Sequence, residues 1–246
     1  MALLAILLGS ISCAREAEPV EPAEPAEPAE ASANEQEVEL VRNLIRHAYD
    51  DAAEFRRDDG DPEDPDHPLR DWSDLLWSYG EIHAGSEAAA QAARAALSMK
   101  GGLGEVDQMY ALAGEVAPDN HLWRDAQFLT YTAWGRQDFD PVLELTEQKI
   151  AAAKDSESRA ALQLLRGNAL LAAQRRDEAV AALDAAVAEA PDSRWAEEAI
   201  DVRRVHTELA PGQPAQWPET TDTMGNRIAL EDFAGRYLLL NFWASW

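Results

Sequence analysis

LQLLRGNALLAAQRRDEAVAALDAAVAEAP, residues Leu162–Pro191, is the stretch that decides the reading of this chain. Within it Ala179, Leu183, Ala186 and Pro191 stand 12, 16, 19 and 24 residues beyond Gly167. The surrounding residues are Ala, Leu, Glu and Arg, all good helix formers, with Gly and Pro only as punctuation. Upstream, Val106, Tyr110, Ala113 and Pro118 keep the mutual spacing of Ala179, Leu183, Ala186 and Pro191. That spacing marks Glu87–Pro118 as a degenerate second copy of Ala160–Ser193, and internal repetition on this scale predicts stacked helical units.

The unit resembles a tetratricopeptide repeat. In that family a small residue at the Gly167 and Ala179 positions lets two antiparallel helices approach, and a proline ends the second; Leu170 takes the usual aromatic slot. The resemblance implies close contact between Gly167 and Ala179. His121–Gly135 followed by Pro141–Ala153 supplies a further helix pair, and three pairs suffice to bury a continuous core. A first helix, roughly Glu37–Arg57, carries Val38, Val41, Leu44, Ile45 and Ala48 on one face at the helical period. Trp72, Trp77, Trp123, Trp134 and Trp195 are expected in inter-helix packing. The array's concave face could bind a peptide or a partner protein, although the same architecture also serves as a spacer or dimer surface.

Charge and composition narrow the function. Lys plus Arg number 21 against 46 Asp plus Glu, a net charge of −25, so the chain has no electrostatic reason to seek nucleic acid. A single cysteine excludes an internal disulfide, a Cys-x-x-Cys centre or a multi-cysteine zinc site within these 246 residues. The five histidines (His47, His67, His83, His121, His206) are scattered, and the acidic run Asp58–Asp66 lacks the EF-hand spacing, so it reads as a solvated loop. No metal site and no cofactor are expected. No G-x-S-x-G nucleophile motif points to a hydrolase.

The two ends carry different signals. Ala2–Leu8 is an apolar run followed by the small residues Gly9, Ser10 and Ser12, then Cys13. This resembles a bacterial lipobox, which implies Cys13 as the lipidated residue of a membrane-anchored, periplasm-facing envelope protein. Ser10 stands where leucine is usual, and no basic residue precedes the apolar run. An ordinary cleaved signal with an incidental cysteine is the alternative reading of the same residues. Ala14 matches the outer-membrane sorting pattern better than the inner-membrane one. Glu-Pro then recurs at Glu18-Pro19, Glu21-Pro22, Glu24-Pro25 and Glu27-Pro28, which blocks helix and sheet and predicts a solvated tether.

After Leu209 the composition changes. Ala210–Ala215 breaks the helix; Thr223–Arg227 reads as a turn, Ile228–Leu230 as a short strand, Asp232–Gly235 as a tight turn, and Tyr237–Phe242 as an apolar strand buried on both faces. The order Gly212-x-Pro214-Ala215, Ile228–Arg236 and then Asn241-Phe242-Trp243-Ala244-Ser245-Trp246 resembles the start of a TlpA-like thioredoxin-fold domain of the redoxin group. Trp217 replaces a common phenylalanine, and the run before the turn is more polar than usual in the family. The resemblance covers about the last 35 residues. It implies a cell-envelope thiol–disulfide oxidoreductase acting on protein disulfides, whose Cys-x-x-Cys would follow Trp246, and hence a fragment without the catalytic cysteines. The alternative is a non-enzymatic tetratricopeptide interaction lipoprotein. The expected organisation is a signal and lipobox over 1–13, a Glu-Pro tether over 14–36, tetratricopeptide-like antiparallel helix pairs over 37–209, and the first β-elements of an incomplete thioredoxin-like α/β domain over 210–246.

Overall fold

A computed structural model describes residues 32–58, 60–61, 63–214, 220–237 and 239. Those residues are mainly helical, with a small two-stranded sheet toward the C-terminus. The helices are α1 (Ala33–Arg57), α2 (Leu69–Ile82), α3 (Glu87–Gly102), α4 (Val106–Glu115), α5 (Gln127–Arg136), α6 (Asp140–Ala152), α7 (Ser156–Ala172), α8 (Arg176–Glu189) and α9 (Arg194–Thr207). Short turns of 3-10 helix lie at His121–Asp125 and Leu230–Phe233.

Helix α1 starts before the expected Glu37, because Ser32 and Glu35 form a reciprocal cap. The Ser32 hydroxyl accepts from the Glu35 backbone N–H, and the Glu35 carboxylate accepts from the Ser32 N–H at 2.7 Å. The helical body therefore begins at Ser32 rather than at 37. Val41 and Ala48 of its apolar face are fully buried, against Leu76 of α2 and Ala92, Ala96 and Met99 of α3. The carboxylates of the acidic loop bond their own backbone: Asp61 accepts from the Glu63 N–H and Asp64 from the Asp66 N–H.

The expected helix over His121–Gly135 is split. Asn120 accepts from the Leu122 N–H and tightens His121–Asp125 into a 3-10 turn, and the Trp123 indole donates to the Ala117 carbonyl at 2.8 Å. Trp123 is 2% exposed, so its burial holds the turn against α3 and α7.

Successive odd-numbered helices touch: α1 on α3, α3 on α5, α5 on α7 and α7 on α9. Helices α4 and α6 also meet, and α7 packs along α8 across a three-residue turn, Ala173–Arg175, which makes that pair antiparallel. A Cβ built on Gly167 would lie 2.7 Å from Leu183 Cδ2 and 3.6 Å from the Ala179 carbonyl oxygen. The expected approach of Gly167 to Ala179 is therefore present through the Ala179 backbone, with the Leu183 side chain closer still. Three core clusters follow one another along the stack, one over α1–α3, a large central one, and one over α7–α9.

Toward the C-terminus, β1 (Thr220–Thr221) pairs antiparallel with β2 (Arg227–Ile228). The turn between them is held by Asp222, whose carboxylate accepts from the Met224 and Asn226 backbone N–H groups. The strand expected at Ile228–Leu230 ends at Ile228. Asp232 accepts from the Ala229 N–H and draws Leu230 into a 3-10 turn instead. Of the apolar run expected as a buried strand, Tyr237 and Leu239 are described; neither is in a strand, and Leu239 is 91% exposed.

Within the central cluster, Tyr110 of α4 donates to the Leu129 carbonyl of α5. Burial first, and the Asp138 carboxylate second, push its phenol up to about 12 from 10.0. Between those values the unfolded chain releases the proton and the fold keeps it, so stability falls as pH rises. Tyr110→Phe should flatten that part of an alkaline unfolding profile and leave the profile below pH 10 parallel to the wild type. Identical slopes above pH 10 would show that Tyr110 carries none of the effect.

Candidate functional site

Three arginines from distant parts of the chain meet in one groove. Arg94 comes from α3, Arg124 from the 3-10 turn and Arg194 from the first turn of α9. With Glu87, Asp125 and Trp195 they line a groove of about 490 Å³. A smaller recess of about 60 Å³ opens beside it between the 3-10 turn, α7 and α9, and Trp195, Arg124 and Arg194 line both.

Each arginine is held differently. Arg94 donates to the His121 carbonyl at 3.1 Å and to the Glu87 carboxylate at 3.2 Å. Burial works against the Glu87 carboxylate, but hydrogen bonds from Arg94 and Gln91, the Arg94 charge and the His121 ring outweigh it and hold its pKa below the ordinary value. Arg124 reaches Glu157 at 3.8 Å, a loose pair. Arg194 donates to the Arg124 carbonyl at 3.2 Å and lies 3.7 Å from the centre of the Trp195 ring, in cation–π contact. Among the described residues Arg194 forms no ion pair.

Trp195 supplies the remaining feature. It is 7% exposed, and its indole N–H is buried without an acceptor among the described residues. A buried donor left unpaired costs about 1–3 kcal/mol. A planar anion such as a carboxylate is matched both to an indole N–H and to guanidinium forks.

Two other features are less promising. A cleft of about 300 Å³ is walled by Trp77, Gly80, Ala89, Ala93 and Val116, largely apolar. The buried Lys100 is neutralised by Asp74 and Glu105, and Glu105 also pairs with Arg70. That network ties α2, α3 and the start of α4 together and leaves no free group.

Cys13 and the signature Asn241, Phe242, Trp243, Ala244, Ser245 and Trp246 lie outside the described residues. Of the tryptophans expected in packing, Trp123 and Trp195 are buried and Trp72 and Trp77 are partly buried, but Trp134 is 62% exposed. Its position on α5 faces away from the cluster that takes Leu129 and Ala133. The described residues contain no group of three or more His, Cys, Asp or Glu side chains placed to hold a metal ion. No helix among them is long and apolar enough to cross a membrane.

Sequence reasoning missed the arginine groove. Arg94, Arg124 and Arg194 are scattered through an acidic chain with no common spacing, and only the stacking of α3, α7 and α9 about the 3-10 turn gathers them. The chain matches no protein-family model, no curated protein and no solved structure.

Proposed function

We propose that this chain belongs to a lipid-anchored, periplasm-facing thiol–disulfide oxidoreductase of the TlpA-like kind, its helices forming a tetratricopeptide-like module that binds a partner polypeptide. The redox half rests on one observation in the sequence, the order Ile228–Arg236, an apolar run, then Asn241–Trp246. In that chemistry a thiolate at a helix N-terminus attacks the substrate disulfide and a second cysteine resolves the mixed disulfide. The test is the coding sequence beyond Trp246. An in-frame Cys-x-x-Cys is expected, with insulin reduction by the product that contains it; a stop codon at that point would remove the redox half.

The non-enzymatic reading, an interaction lipoprotein, has an observation of its own. The residues that line the arginine groove all fall between Glu87 and Trp195, before the change of composition after Leu209. Both readings place the anchor at Cys13. Metabolic labelling with a palmitate analogue should mark the wild type and spare Cys13→Ser, and equal labelling of the two would remove the anchor from either reading.

A further inference from the structure

The arginine groove is an anomaly on a chain of net charge −25. Its three guanidiniums share the groove with Glu87 and Asp125; Arg94 is engaged by Glu87, and Arg124 is loosely engaged by Glu157. That leaves Arg194 as the guanidinium without an ion pair among the described residues, stacked on Trp195, whose buried indole N–H has no acceptor among them.

A free acidic partner would have to approach against the field of the whole molecule. An acidic segment covalently attached to the fold feels the same field, but tethering offsets it by raising the segment's effective concentration to the millimolar range. The chain carries such a segment. Residues 14–31 contain Glu16, Glu18, Glu21, Glu24, Glu27 and Glu30 against the single base Arg15. They join the fold at Ser32, the cap of α1.

The start of α1 lies beside the end of α2: Val38 and Tyr79 pack on the same core cluster, and at the opposite ends of the two helices the Trp72 indole donates to Asp51. Helix α2 turns at His83–Ser86 directly into Glu87, the first residue of α3 and one wall of the groove. At ~3.1 Å per extended residue, 18 residues could span on the order of 50 Å.

We propose that the groove formed by Arg94, Arg124, Arg194 and Trp195 takes glutamate carboxylates of the chain's own Glu-Pro segment, residues 14–31, so that this segment competes with any partner for the face. The inference rests on reading the helices as a binding module and is independent of the redox half.

The test uses the full 246-residue chain and a variant carrying Gln at Glu16, Glu18, Glu21, Glu24, Glu27 and Glu30, both with Cys13→Ser to prevent lipidation. A synthetic peptide of residues 14–31 is titrated into each. With its own segment neutralised, the variant should bind the peptide at least about ten-fold more tightly than the wild type. Arg124→Gln with Arg194→Gln in the variant should abolish that gain. Without any groove substitution, the Trp195 indole N–H resonance should differ between wild type and variant. The Trp123 indole, bonded to the Ala117 carbonyl, should stay in place. Equal affinity for the two chains, no binding to either, or a gain that survives loss of both arginines would overturn the proposal. So would an unchanged Trp195 resonance, or inorganic phosphate matching the peptide at equal concentration.

Discussion

Gly167→Leu is expected to lower stability by about 2–3 kcal/mol, even though glycine is itself a poor helix residue worth roughly 1 kcal/mol less than a good former. The Cβ alone would sit 2.7 Å from Leu183 Cδ2 and 2.9 Å from its Cγ, closer than carbon atoms approach. Leu183 cannot swing aside cheaply. It is fully buried, in the cluster that includes Ala160, Leu164, Ala186 and Trp195. The remaining carbons of the new leucine have no space on that line, so α7 and α8 must separate. In a chain of this size the loss corresponds to a fall of roughly 5–10 °C in thermal midpoint. Adding Leu183→Ala should restore part of it by vacating the contested volume. An unchanged midpoint in the single variant would mean that α7 and α8 do not meet at this glycine.

Lys149→Met is expected to cost about 2 kcal/mol, the scale of hydrogen bonds from a charged group. The Lys149 amine of α6 donates to the Gly114 and Val116 carbonyls, both at 2.6 Å, and so closes the C-terminal end of α4. It also lies 5.5 Å from the centre of the Trp123 ring. Methionine fills the same stem volume and donates nothing, so the change isolates the amine. Amide exchange should quicken first around Val116–Asn120, where the chain leaves α4 for the 3-10 turn. The pH dependence has a definite sign. Burial lowers the Lys149 pKa from 10.5, so between the folded value and 10.5 the unfolded chain holds more protons. Stability therefore gains as pH rises through that window, since the neutral amine keeps both donors and sheds the cost of a buried charge. Lys149→Met should lack that gain, and retaining it would place the titration on another group.

Some local structure was written in plain sight. The spacing of Gly167, Ala179, Leu183 and Pro191 marks two helices and the break after them, because a helix places such residues on one stripe whatever surrounds it. The start of α1 is equally legible in Ser32-Ala33-Asn34-Glu35, a capping box that directly follows the Glu-Pro repeat. The break within His121–Gly135 was harder to see. Asn120 can cap either a long helix or a short turn, and the choice falls to the burial of Trp123 against α3 and α7.

The sequence by itself determined the helical character of the middle, its acidity and the change of composition after Leu209, since these follow from residue type and short spacing. Only the tertiary structure decided which tryptophans are core and which arginines share a groove. Trp123 and Trp134 both sit in helical stretches, yet one is sealed in the central cluster and the other open to water. Arg94, Arg124 and Arg194 carry no mutual signal along the chain, because the contacts that bring them together belong to the hydrophobic faces of the elements that bear them. Helix packing is chosen by those buried faces, and the polar side chains it gathers on the outside are a consequence that no local pattern records.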